Sequence, residues 1–235
     1  MTQFDHIRSR PVVDYGVGEA TMFSFFNMVY AWMAAGIALT AIVAWFVAHS
    51  PLVYALANPG AALTISLGLF ALAWFVQSQA GRIGAPAATA LFLAYASGVG
   101  VLISPIWIVY PVETLGSALL LTAGTFGVMS VYGFVTKRDL SGIGSIMVMC
   151  VIGVFFASLV NLFLANEALS WLITYAVLIL FIGITAYQTQ MLKGLAEQLR
   201  YQPHLMARYA IVGSLVLYIS FINLFLAILR ILDRR

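Results

Sequence analysis

The chain has 235 residues, of which 63% are hydrophobic and only 8% charged, where a soluble globular chain carries about 25% charged residues. So few charges cannot cover a soluble surface. The net charge of +3 gathers into no basic stripe of the kind that grips a nucleic-acid backbone. The composition excludes a water-soluble enzyme or nucleic-acid binder and leaves the lipid bilayer as the solvent.

Residues 1–20 mix Asp5, Arg8, Arg10, Asp14 and Glu19 and read as a short cytoplasmic amino-terminal segment before a single transmembrane domain over 21–235. The apolar run that follows is too long for the core of a signal peptide. A span needs about 20 mostly apolar residues to cross roughly 30 Å of hydrocarbon. Runs of that kind fall at 22–48, 61–80, 85–110, 115–135, 143–165, 169–191 and 210–229. The first ends at His49, Ser50 and Pro51, and the second stops at Gly81 and Arg82. The third contains Pro105, which removes a backbone hydrogen bond and should kink it. Lys137, Arg138 and Asp139 close the fourth, with Asp139 expected to pair with the neighbouring cations, and Glu167 follows the fifth. The sixth is followed by a polar stretch over 193–208, expected to be a connection, and the seventh runs into Arg230, Asp233, Arg234 and Arg235.

None of these runs alternates polar and apolar residues as the strands of a membrane barrel do. The expected fold is therefore all-α, a polytopic bundle of seven transmembrane helices. Short connections make sequential helices antiparallel neighbours. The amino terminus and the connections after the second, fourth and sixth spans hold Arg8, Arg10, Arg82, Lys137, Arg138, Lys193, Arg200 and Arg208. The excess of Lys and Arg on cytoplasmic loops then puts the amino terminus in the cytoplasm. The basic tail is discordant and leaves open six spans with a re-entrant seventh.

The chemistry expected is sparse. His6, His49 and His204 lie at or beyond span ends, without metal-ligand spacing. Lys137 and Lys193 lie outside the spans, so no retinal Schiff base is available. No His or Lys base sits at membrane depth to activate a serine. Cys150, the single cysteine, lies in an apolar run. No enzymatic activity, cofactor or metal site follows. Charges within spans usually mark ion or proton pathways, and their absence speaks against a pump. The softer polar residues are Gln77, Gln79, Asn161, Gln188, Gln190, Ser220 and Asn223. They serve either as hydrogen bonds between helices or as the lining of a water or ion path. Arg82 reads as an interfacial anchor or as a charge facing the bundle.

The run from Tyr132 to Ser141, with Thr-Lys-Arg-Asp-Leu-Ser at its end, resembles the Bax inhibitor-1 family of transmembrane proteins. The stretches at 30–33, 157–163, 183–187 and 221–225 agree, so the resemblance covers nearly the whole chain and is nearest the bacterial branch. It implies an inner-membrane location and a seven-helix bundle in which six helices wrap one. It further implies a pH-sensitive calcium leak and, in some bacterial members, association with a membrane-bound protease. The leak is attributed to two aspartates of the last two spans that share a proton, influenced by an arginine of the second. Two adjacent carboxylates do not ionise independently, which is a physical basis for a pH gate. In this chain the two positions are Gln188 and Ser220, while Arg82 keeps the third. Neither replacement titrates, and hard cations favour carboxylate oxygens. A pH gate of that type is therefore not expected, nor calcium binding at these residues. Two readings stay open: a bundle that modulates a membrane partner such as a quality-control protease, or a pH-insensitive leak for calcium or other ions. A wide polar cavity at Arg82, Gln188 and Ser220 would favour the leak, and a sealed apolar interior the partner.

Overall fold

The structure, a computed structural model, describes residues 15–199 and 201–233. The expectations for His6, Arg8, Arg10, Arg200, Arg234 and Arg235, and for most of the amino-terminal segment, lie outside them. Helix α1 is Tyr15–Ala48, followed by a 3-10 segment, Pro51–Ala57, and by α2, Pro59–Ser78. Then come α3, Ala85–Ile103, α4, Ile106–Val109, α5, Val112–Val135, α6, Ser141–Leu164, α7, Glu167–Leu199, and α8, Pro203–Leu232. Seven segments are long and apolar enough to cross a membrane, α3 and α4 together forming the third. The chain is a seven-helix membrane bundle.

Local chemistry sets the boundaries. Asn58 Oδ1 accepts from Gly60 N at 2.9 Å, with Pro59 at the first helical position of α2, where its missing N–H costs nothing. At the same end of the bundle Asn161 Oδ1 accepts from Asn166 N, and Asn166 Oδ1 from Leu169 N. These bonds turn the chain from α6 into α7 through Ala165, held at φ 48°. Pro105 does more than bend the third span. The α-helix stops at Ile103, Ser104 bonds back to Val101 O through both N and Oγ, and a separate turn begins at Ile106.

Helix α8 lies at the centre. Leu215, Leu217, Tyr218, Leu224 and Leu229 are all buried, as in a helix that is apolar all round. It packs on α1, α3, α5 and α7 and more lightly on α2. At 30 residues it is about 45 Å long, which rules out a short re-entrant loop.

Of the six helices expected around α8, five pack closely on it. Helix α6 stands outside on α7, reaching α2 where Phe155 stacks on Phe70 at 5.6 Å. The reason is a glycine at each contact: the Tyr187 ring of α7 seats over Gly144 of α6, and the Met147 thioether of α6 over Gly183 of α7.

The stretch over 193–208 is corrected, since α7 continues to Leu199 and α8 begins at Pro203. Leu192, Ala196 and Leu199 are buried on one face while Glu197 and Gln198 are exposed. That helical periodicity sits among charges that had marked the stretch as polar.

Candidate functional site

Gln188 of α7 and Ser220 of α8 meet. Ser220 Oγ donates to Gln188 Oε1 at 2.7 Å, and Ser220 is fully buried. They stand apart in sequence but face each other because α7 and α8 pack along their length as consecutive antiparallel helices. The bond joins two neutral groups, so its geometry does not depend on protonation.

Arg82 does not join them. It is exposed in the turn after α2, where its N–H donates to Gln79 O at 2.8 Å. The interior trio reduces to a pair, because α2 ends before Arg82 and presents it outward. Another arginine of that end turns inward: Arg208 of α8 reaches Ile83 O at 3.5 Å and lies 5.1 Å from the Tyr209 ring.

The other polar residues of the spans form no continuous lining. Gln77 Nε2 donates to Ala73 O and Asn223 Nδ2 to Ile219 O, each four residues back on its own helix. Thr122, Thr185 and Thr189 do the same through their hydroxyls. Such back-bonding spends polar groups inside single helices. Of four cavities among the described residues, none has Arg82, Gln188 or Ser220 in its lining.

A second buried node was not expected. Tyr218 Oη and Thr40 Oγ1 lie 2.6 Å apart, and Thr40 Oγ1 is within 2.9 Å of the Gly36 and Ala96 carbonyls. With the tyrosine donating to Thr40 and Thr40 donating to a carbonyl, the node ties α8 to α1 and α3. The available signal was a tyrosine in mid-span, whose hydroxyl needs a partner once buried.

The 136–140 turn is clamped onto α7. Gln190 Oε1 accepts from Leu140 N and Gln190 Nε2 donates to Arg138 O, both at 2.8 Å. Lys193 Nζ donates to Phe134 O at 3.0 Å and sits 5.1 Å from the Phe134 ring, a cation at the carbonyl end of α5 where the helix dipole favours it. Gln190→Ala leaves a buried Leu140 N–H and the Arg138 carbonyl without these partners. It is expected to cost about 1–3 kcal/mol, read as a lowered thermal midpoint in detergent.

Lys137, Arg138 and Asp139 are all exposed. Asp139 turns away from the cations expected to pair with it. Its Oδ1 accepts from Ser141 N at 2.9 Å, because the free N–H groups at the start of α6 are the nearer donors. That N–H, with the Ser141 hydroxyl, holds the carboxyl below its ordinary range. A carboxyl lowered on folding adds stability that is complete above its ordinary pKa of about 3.9 and lost as pH falls through the lower folded value. Asp139→Ala should speed amide exchange in the first turn of α6 at neutral pH. The difference from wild type should vanish in strong acid.

Comparison with known proteins covers almost the whole chain. A family model described as "Inhibitor of apoptosis-promoting Bax1" matches residues 22–235. The inner membrane protein YbhL of Escherichia coli K12 is 42% identical over 231 residues, 97% of each chain. An uncharacterized protein of Deinococcus radiodurans is 41% identical over 220 residues, 90% of this chain and 91% of its own. An uncharacterized membrane protein of Streptococcus pyogenes serotype M3 is 35% identical over 230 residues, 94% of this chain and 97% of its own.

Proposed function

The chain belongs to the Bax inhibitor-1 family, and we propose that it works as an inner-membrane protein that acts on a membrane partner, such as a quality-control protease, and not as a pH-gated leak. The observation that carries this reading is the Gln188–Ser220 hydrogen bond. It stands where the family resemblance places a titrating pair, yet neither group gains or loses a proton near neutral pH. A bond of this kind joins α7 to α8 equally at every physiological pH. Ser220 and its helix neighbours Leu217 and Leu224 are fully buried, which supports a closed interior at this level. The inner membrane is taken from YbhL, and a cytoplasmic amino terminus from the basic residues at one end of the bundle.

Calcium flux into proteoliposomes at pH 6 and pH 8 tests the reading, with wild type beside the Gln188→Asp, Ser220→Asp double variant. Wild type is expected to pass no calcium at either pH, and the variant to show pH-dependent flux. Equal wild-type flux at both values would replace this reading with a leak that needs no acidic pair.

A further inference from the structure

Helices α1 and α5 approach each other at one end, where the Phe26 and Phe134 rings meet edge to face at 5.2 Å. Below that contact a cleft of about 530 Å³ opens between them, floored by Phe221 of α8. A second cavity of about 280 Å³, lined by other residues of α1 and α5, shares Phe221 and continues the cleft toward the opposite end. The larger volume lies within the scale of small-ligand sites, roughly 300–1,000 Å³, and the smaller just below it. The rim is open to the bilayer, since Phe23 and Val131 are 59% and 63% exposed.

Along α5 the cleft is made by Ala123, Gly127 and Ser130, which recur on one helical face. Ser130 is 5% exposed, and its Oγ has no hydrogen-bond partner among the described residues. Most buried polar groups are paired, and many serines and threonines of this bundle bond their own helix instead. Asn27, exposed on α1, lines the same cleft. The Asn27 amide, the Tyr30 phenol and the unpartnered Ser130 hydroxyl thus line a mainly apolar space that opens sideways into lipid.

We propose that the α1–α5 cleft binds the acyl chain of a bilayer phospholipid, with the Ser130 hydroxyl donating to its ester carbonyl. The occupant must bring a hydrogen-bond acceptor from within the membrane. A partner helix, about 10 Å across, is far broader than a single acyl chain, and Ser130 at 5% exposure is reached only by a slender group. A phospholipid offers a slender apolar chain and, next to it, a carbonyl with no donor of its own. Ser130 lies five residues before the end of α5, about 7.5 Å along the axis. That depth is near the boundary of the hydrocarbon, where acyl chains join glycerol.

Native mass spectrometry of the full chain, extracted in mild detergent and washed repeatedly, tests this. Wild type should retain about one phospholipid per chain, as a single site would. Gly127→Phe, which fills the cleft, should lose nearly all of it. Ser130→Ala, which keeps the shape, should lose it about fivefold faster, the weight of one hydrogen bond. Gly153→Phe in the separate groove between α6 and α7 should match wild type. Lipid-free wild type would overturn the proposal, as would undiminished retention in both cleft variants or equal loss from Gly153→Phe. A retained free fatty acid in place of a phospholipid would overturn the ester assignment.

Discussion

Gly133→Val is expected to prevent the bundle from assembling. A Cβ at this position would overlap the Ala186 carbonyl oxygen and lie 2.9 Å from both the carbonyl carbon and the Cα of Ala186. All three are backbone atoms of α7, so no side-chain rotation relieves the overlap. Accommodating extra atoms in a packed core already costs about 1–3 kcal/mol when side chains can adjust. Here α5 and α7 must separate instead. Ala186 lies two residues before Gln188, so the shift also pulls at the Gln188–Ser220 bond. Gly133→Ala carries the same Cβ and should lower the thermal midpoint strongly, despite a gain in helix propensity of about 1 kcal/mol. Gly124→Ala is the control, because nothing lies within 4 Å of its added Cβ. That variant should be neutral or slightly stabilised. Equal stability of the two alanine variants would show that α5 and α7 do not cross this closely.

The contrast between Gly133 and Gly124 marks how far the sequence could be read. Both are glycines of one apolar helix. Only the tertiary crossing decides which of them is essential. The seven spans were legible because hydropathy acts over about 20 residues at a time, and Pro105 was legible because its missing N–H is a covalent fact.

What failed was local where tertiary contacts act. The end of α7 was read as a connection because Lys193 and Glu197 looked like a boundary, whereas Leu192, Ala196 and Leu199 carry the helix on into the core. Gln190 and Lys193 act on backbone carbonyls and N–H groups, which are present at every residue and so leave no trace in composition. Arg82 was open between an interfacial anchor and a charge facing the bundle, because a single turn after α2 decides between them, and it lies exposed in that turn. The Gln188 and Ser220 positions were found through a resemblance of motifs. Their contact then follows from the packing of α7 on α8.

The same contact makes the Gln188→Asp, Ser220→Asp variant the sharpest test of what the neutral pair does. Wild-type stability should not change between pH 5 and pH 8 on account of this pair, since neither group titrates there. In the variant two carboxyl groups occupy a position where Ser220 has no exposure to solvent. Charge repulsion and desolvation both oppose ionising the second of them, so the folded pair holds one proton between its members more tightly than the unfolded chain does. Stability then falls as pH rises through release of that proton, because the unfolded chain has already given its own away. An unpaired buried charge costs about 3–5 kcal/mol, so the thermal midpoint should be clearly lower at pH 8 than at pH 5. Ser220→Asp alone separates the two causes: with Gln188 turning its amide toward the carboxylate, only desolvation opposes ionisation. A slope in the single variant as steep as in the double would mean that burial alone, without mutual charge, makes this site sensitive to pH. A flat profile in both would mean that water reaches Gln188 and Ser220, and the interior could not then be the dry seal on which the partner-binding reading depends.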